Sequence, residues 1–185
     1  MPHPATQAEI LEALKSNAAS IAEFFSDQPD PVILSGDPDH WGPAHHLEHL
    51  TRTSISVQRG LRSKNLPLHS VSRSRSYAEI RDAATASLTA TPKKRLLEMG
   101  RVVVIAPGTR GADLVDAFVA ASASLRAAAA EWSEDELDRH ALTHPLIGEL
   151  TVREMLFFCV VHERHHLKLV RTRLDTLKES WPPSR

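Results

Sequence analysis

The sequence predicts an all-α protein, a four-helix bundle with one long crossover between its second and third helices. Three observations predict it. Ala and Leu supply much of the 42% hydrophobic content while aromatics make up only 5%. Segments of that composition, poor in aromatic and β-branched residues, favour helix over strand. Four long segments repeat their apolar residues at spacings of three and four. Most ends of those segments carry a stop or start signal, either proline or a Ser/Thr with Glu three residues later.

The first helix opens at Thr6, where Thr6 and Glu9 have the form of a capping box. Ile10, Leu14, Ile21 and Phe25 follow on one face, and the helix ends before Pro29 and Pro31. Residues 29–40 read as a loop rich in Pro and Asp. The second helix opens near Pro43, a residue tolerated in a first turn, and runs to about Ser63. Its apolar face is Leu47, Leu50, Val57 and Leu61.

Residues 64–108 form the crossover. A short helix fits Tyr77 to Leu88, and the β-branched run from Arg101 reads as an extended connector, because a lone strand has no partner for its backbone groups. The third helix fits residues 110–131, with Leu114, Phe118, Ala121 and Leu125 on one side. Ser133 and Glu136 cap a short turn, and His144 to Gly148 is a loop. Thr151 and Glu154 cap the fourth helix, which runs to about Lys178 and stops at Trp181-Pro182-Pro183. Four long amphipathic helices with one long connection match a bundle, and 185 residues suit a single domain spanning 1–185.

Composition narrows the function. The net charge is −1 with histidine neutral, which gives no broad field to attract nucleic acid or an anionic membrane. Arg73 and Arg75 make only a small basic patch, read as a solvated loop. One cysteine, Cys159, rules out an intrachain disulfide and suits a reducing compartment. The first fifteen residues lack the basic start and apolar block of a secretory signal. No run of about 18 apolar residues occurs, so no membrane span is expected. A cytoplasmic location is the expectation.

Histidine is the unusual residue, 11 of 185. His162 and His166 are four apart on the fourth helix, a spacing that stacks both rings on one face. Val152, Met155, Cys159, His162, His166 and Leu169 form one stripe that should face the interior. Buried imidazoles need partners for their nitrogens, and a metal ion supplies one. Paired histidines also occur by chance, and buried ones often only hydrogen-bond. The second helix offers His45, His46 and His49 as a third ligand; helical periodicity puts His46 nearest the core, His49 at its edge and His45 nearer solvent. Cys159 reads as a small core residue before it reads as a fourth ligand. His140 and His144 read as surface residues, with His144 fixing the turn before Pro145. Glu48, Glu154 and Glu163 are candidates to orient a ligand imidazole, though such glutamates are more often solvated.

Two blocks resemble the DinB-like family. WGPAHHLEHL, Trp41 to Leu50, is similar to the start of that family's second helix, and HPLIGELTVREMLFFCVVHERHHLKLV, His144 to Val170, resembles its C-terminal His-x-x-x-His motif more closely. Together they cover about a fifth of the chain. The resemblance implies a four-helix bundle with a three-histidine divalent metal site, and places the ligands at His49, His162 and His166. Choosing His49 over His46 rests on the resemblance alone. It further implies thiol-dependent transferase or isomerase chemistry with a low-molecular-weight thiol, and a homodimer, but no binding to DNA. One departure is Leu169, where many relatives carry Gln.

The expected function is a divalent-metal-dependent enzyme acting on a small-molecule substrate, with zinc or nickel as the ion. A thiol S-transferase acting on a small electrophile is the first reading. A metal-dependent hydrolase and a non-catalytic metal-binding or structural bundle are the alternatives. If the crossover 64–108 covers the site, it sets substrate choice.

Overall fold

The computed structural model describes residues 3–37, 40–70, 73–100 and 103–180. Eight helices and one hairpin follow in order: α1 (Gln7–Ser26), α2 (Asp30–Ile33), α3 (Pro43–Arg62), α4 (Tyr77–Ala90), α5 (Lys93–Gly100), α6 (Gly111–Ala130), α7 (Glu134–Arg139), β1 (Ala141–His144), β2 (Gly148–Thr151) and α8 (Val152–Ser180). The four long helices α1, α3, α6 and α8 are the bundle. Each of α1 and α3 packs against both α6 and α8. No described helix is long and apolar enough to cross a membrane.

Local chemistry sets the helix starts. Thr6 with Glu9 and Ser133 with Glu136 form the expected capping boxes. At α8, Glu154 N–H donates to Thr151 Oγ1 at 3.1 Å and Thr151 N–H to the Glu154 carboxylate at 3.2 Å. Ser76 with Glu79 adds a fourth box at α4. Gly42 precedes α3 because a Cβ there would lie 1.7 Å from the Ser35 carbonyl oxygen.

Hydrogen bonds between ends fix helix directions. Gln7 Nε2 donates to the Ala129 carbonyl at 3.0 Å, so α1 starts where α6 ends. Arg153 Nη1 donates to the Ala5 carbonyl at 2.9 Å, so α1 and α8 start together. Arg173 Nη1 donates to the Trp41 carbonyl at 2.8 Å, which puts the end of α8 at the start of α3. Gly111 N–H donates to Asp30 at 3.0 Å, placing the start of α6 at that same end. Helices α3 and α6 therefore run parallel. Their connection must travel back the length of a 20-residue helix, about 30 Å, and this is the physical reason for the long crossover. On the way it carries α4 against α8.

The core consists of two apolar clusters. One holds Ile10, Leu14, Leu61, Leu125 and the start of α8; the other holds Ile21, Phe25, Leu47, Phe118 and Val170. All the apolar positions read from the sequence for α1, α3 and α6 are buried. Between the clusters the helices contribute buried polar residues: Asn17 from α1, Thr51 and Ser54 from α3, Ser122 from α6, and Glu163 and His166 from α8. The functional candidates belong to this polar layer.

Several details differ from the sequence reading. The loop at 29–40 contains the single turn α2, and the crossover contains α5 as well as α4. The loop at His144 is the tip of a hairpin in which Ala141 pairs with Thr151 and His144 with Gly148. Gly148 closes it at φ +83, a conformation that favours glycine. Four-residue strands carry too short an alternation to read from sequence. The run ending in Pro107-Gly108 is an irregular connector over its described residues, 103–108, as expected. Trp181, Pro182 and Pro183 lie outside the described residues.

Candidate metal centre

Helices α3 and α8 cross so that three imidazoles meet. His49 Nε2 lies 3.0 Å from His162 Nε2, and His166 Nε2 lies 2.9 Å from His162 Nε2. The donor atoms of His49, His162 and His166 all lie within 4.8 Å of one another. The i,i+4 spacing on α8 brings His162 and His166 together, and the antiparallel crossing of α3 supplies His49.

The electrostatics of the cluster suit neutral ligands. Burial lowers His49 from its ordinary 6.5 to about 4. Burial, and then the neighbouring histidines, hold His162 and His166 well below 6.5. All three are therefore neutral at pH 7 and keep a lone pair. Neutral imidazoles bring at most one N–H each, so three converging Nε2 atoms cannot all satisfy one another. Nitrogens bound to a tetrahedral ion at about 2.0–2.1 Å stand about 3.3 Å apart, close to the spacing found. The donor set fits a borderline ion such as zinc or nickel, and by ligand type does not choose between them.

His46 settles into a different role. Its Nδ1 lies 2.7 Å from Nδ1 of His166, the nitrogen on the far side of that ring from the cluster. Were Nε2 of His166 to bind an ion, that ring would donate from Nδ1 and His46 would accept. An outer partner of this kind fixes the tautomer and ring orientation of a ligand. Periodicity had placed His46 nearest the core and His45 nearer solvent; the structure reverses the second point. His45 is 4% exposed, and its Nδ1 accepts from Gly42 N–H at 3.3 Å in the first turn of α3. Residues of a first turn fold back on the chain before the helix, which a helical projection ignores. Trp41 covers the cluster, with its ring 5.2 Å from His49 and 5.3 Å from His46.

The glutamates considered for orienting the ligands do other work. Glu48 pairs with Arg52 at 2.7 Å. Glu154 caps α8 and binds Arg75 of the crossover at 2.9 and 3.0 Å, so Arg75 is an anchor rather than part of a solvated patch. Glu163 is 2% exposed and accepts from Asn17 Nδ2 at 3.1 Å. Burial raises it to about 8, against the pull of Asn17, Arg164 and Arg126. Cys159 packs in an apolar cluster, burial pushes its thiol up, and it is not among the converging donors. Leu169 does not continue the buried stripe: it is 43% exposed, because the stripe drifts round the helix by its last turn.

Beside the histidines lies a cavity of about 570 Å³, bordered by Trp41, by α4 and α5, by the hairpin tip and by Phe158 of α8. The crossover therefore does cover the site. His144, read as a surface residue, is half-buried on this cavity. Its Nδ1 accepts from the N–H groups of Leu146 and Ile147, both at 3.2 Å, which confirms its role in the turn. His140, also read as surface, is half-buried with its ring 5.2 Å from Trp132.

Comparison with known proteins adds a family. The model of the DinB superfamily matches residues 4–170. The chain belongs to the DinB superfamily. A crystal structure of TT2238, a four-helix bundle protein, is 18% identical with a TM-score of 0.57, covering 90% of this chain and 99% of that one. That likeness establishes the bundle for this DinB-superfamily member. No curated protein matches the sequence.

Proposed function

We propose that this DinB-superfamily protein is a divalent-metal-dependent enzyme in which His49, His162 and His166 hold the ion. The convergence of three neutral imidazole nitrogens on the wall of a covered cavity carries this reading. A bound divalent ion supplies Lewis acidity, so that a coordinated thiol or water ionises near neutral pH. The chain supplies the rest. Three protein ligands leave coordination positions open, the arrangement of catalytic rather than closed structural sites. His46 holds the orientation of His166. Trp41 and the crossover wall the cavity beside the cluster. The reaction is attack of a small thiol, or of water, on a small electrophile. A cavity of about 570 Å³ beside the open coordination positions favours this over a purely structural ion.

Elemental analysis of protein purified without a histidine tag tests the site. About one divalent ion per chain is expected in the wild type, and a large loss in His162→Ala and in His166→Ala. Equal metal content in wild type and variants would remove these residues as ligands. Chelation separates the roles: a catalytic ion leaves with activity while the helical signal persists, whereas loss of an ion that holds the fold lowers the melting temperature steeply.

A further inference from the structure

The walls of the cavity carry more information than its floor. Among the described residues that border it, none is Asp, Glu, Lys or Arg. Leu88, Leu96, Met99, Ile147 and Phe158 make most of its surface apolar. Away from the three-histidine cluster, a charged group entering such a space loses hydration without gaining a counter-charge from these side chains.

At the hairpin tip, away from Trp41 and the histidines of α3, one polar group in this wall has a fixed direction. Two backbone N–H groups, of Leu146 and Ile147, point at Nδ1 of His144. That nitrogen must therefore be the acceptor, and the single proton of the neutral ring sits on Nε2. Nε2 has no partner among the described residues, and the ring borders the cavity. Hydroxyls such as Thr53 and Ser56 also border it, but they rotate and both donate and accept. His144 is a donor only, set by its own loop. Its ring packs 4.2 Å from Phe158, whose other neighbour, at 5.0 Å, is His162. The donor thus stands one aromatic ring away from the three-histidine cluster.

We propose that the cavity binds an uncharged, largely apolar molecule bearing one acceptor oxygen, such as a carbonyl, which His144 holds by a hydrogen bond from Nε2. The inference rests on the reading of this cavity as the substrate site of a metalloenzyme, and it names the substrate class. Apart from the proposed ion, a ligand rich in carboxylates finds no cationic side chain among the described lining residues to receive it; a neutral electrophile finds both an apolar wall and a fixed donor.

Three probes of similar shape test it by equilibrium dialysis near neutral pH: 2-acetonaphthone, 2-ethylnaphthalene and 2-naphthoate. The proteins are wild type, His144→Asn and His49→Ala. Asparagine retains an acceptor for the loop N–H groups and has nothing at the position of Nε2. In the wild type the ketone should bind several-fold tighter than the hydrocarbon, the worth of one net hydrogen bond. In His144→Asn the ketone should lose its lead and bind no better than the hydrocarbon, since its carbonyl is then unpaired, with hydrocarbon binding unchanged. His144→Ser, which also offers the loop an acceptor and no group at the position of Nε2, should likewise remove the lead of the ketone and serves if the Asn variant is unstable. In His49→Ala, which lacks a ligand for the ion, the ketone should keep its lead and the carboxylate should bind at least tenfold more weakly. A ketone preference that survives loss of His144, or a carboxylate that binds tightest in His49→Ala, overturns the proposal. Metal content reports separately: absence of metal with the probe order intact sinks only the metalloenzyme reading, and the reversed order with metal present sinks only the substrate class.

Discussion

Replacing Arg75 by Ala should unfasten the crossover from the bundle and cost about 3 kcal/mol. The guanidinium binds both oxygens of Glu154, which is 1% exposed. Removing one partner of a buried ion pair leaves an uncompensated charge and typically costs about 3–5 kcal/mol. Two features place this case at the low end of that range. The Arg75 side chain is 38% exposed, so water screens part of its attraction. Glu154 also keeps two backbone donors, Arg75 N–H at 2.6 Å and Thr151 N–H at 3.2 Å, in the variant. Urea denaturation followed by far-ultraviolet circular dichroism measures the loss. A double-mutant cycle with Glu154→Leu isolates the pair, with an expected coupling of about 1–3 kcal/mol. The pH dependence carries a second signature. Against the cost of burial, Arg75 holds Glu154 below its ordinary 4.5. The unfolded chain then binds the proton more readily, so this contribution is present above 4.5 and is lost as pH falls through the folded value. Arg75→Ala should make that loss smaller, because only the two backbone donors then hold the carboxylate. A destabilisation under about 1 kcal/mol, with coupling near zero, would refute the view that this pair clamps the crossover.

Two other outcomes follow from the geometry. Burial lowers His144 from 6.5 to about 4, so the unfolded chain takes up a proton first as pH falls; stability should drop through that window by up to about 1.4 kcal/mol per pH unit. The drop should be shallower in His144→Asn, as chemical denaturation at several pH values would report. Leu169→Gln, at a position 43% exposed, should change stability by less than about 0.5 kcal/mol and leave metal content as in the wild type. A metal loss by elemental analysis would place that side chain closer to the ligands than the structure does.

What the sequence determined by itself is whatever depends on neighbours a few residues apart. Capping boxes at Thr6, Ser133 and Thr151 are local hydrogen bonds, so they were legible. The apolar faces of the long helices follow from a period of 3.6, and the approach of His162 to His166 is a property of one helix. What the tertiary structure decided lies in pairs far apart along the chain. His49 reaches its partner across 113 residues, Arg75 reaches Glu154 across 79, and Asn17 reaches Glu163 across 146. No local pattern distinguishes His45, His46 and His49. The crossing of α3 over α8 does, turning one ring into the cluster, one behind His166 and one back onto its own first turn. The same holds for the donor of His144, whose direction exists only because a hairpin tip folds two amide groups onto one nitrogen. Periodicity fixes which face of a helix is buried; only packing fixes what that face meets.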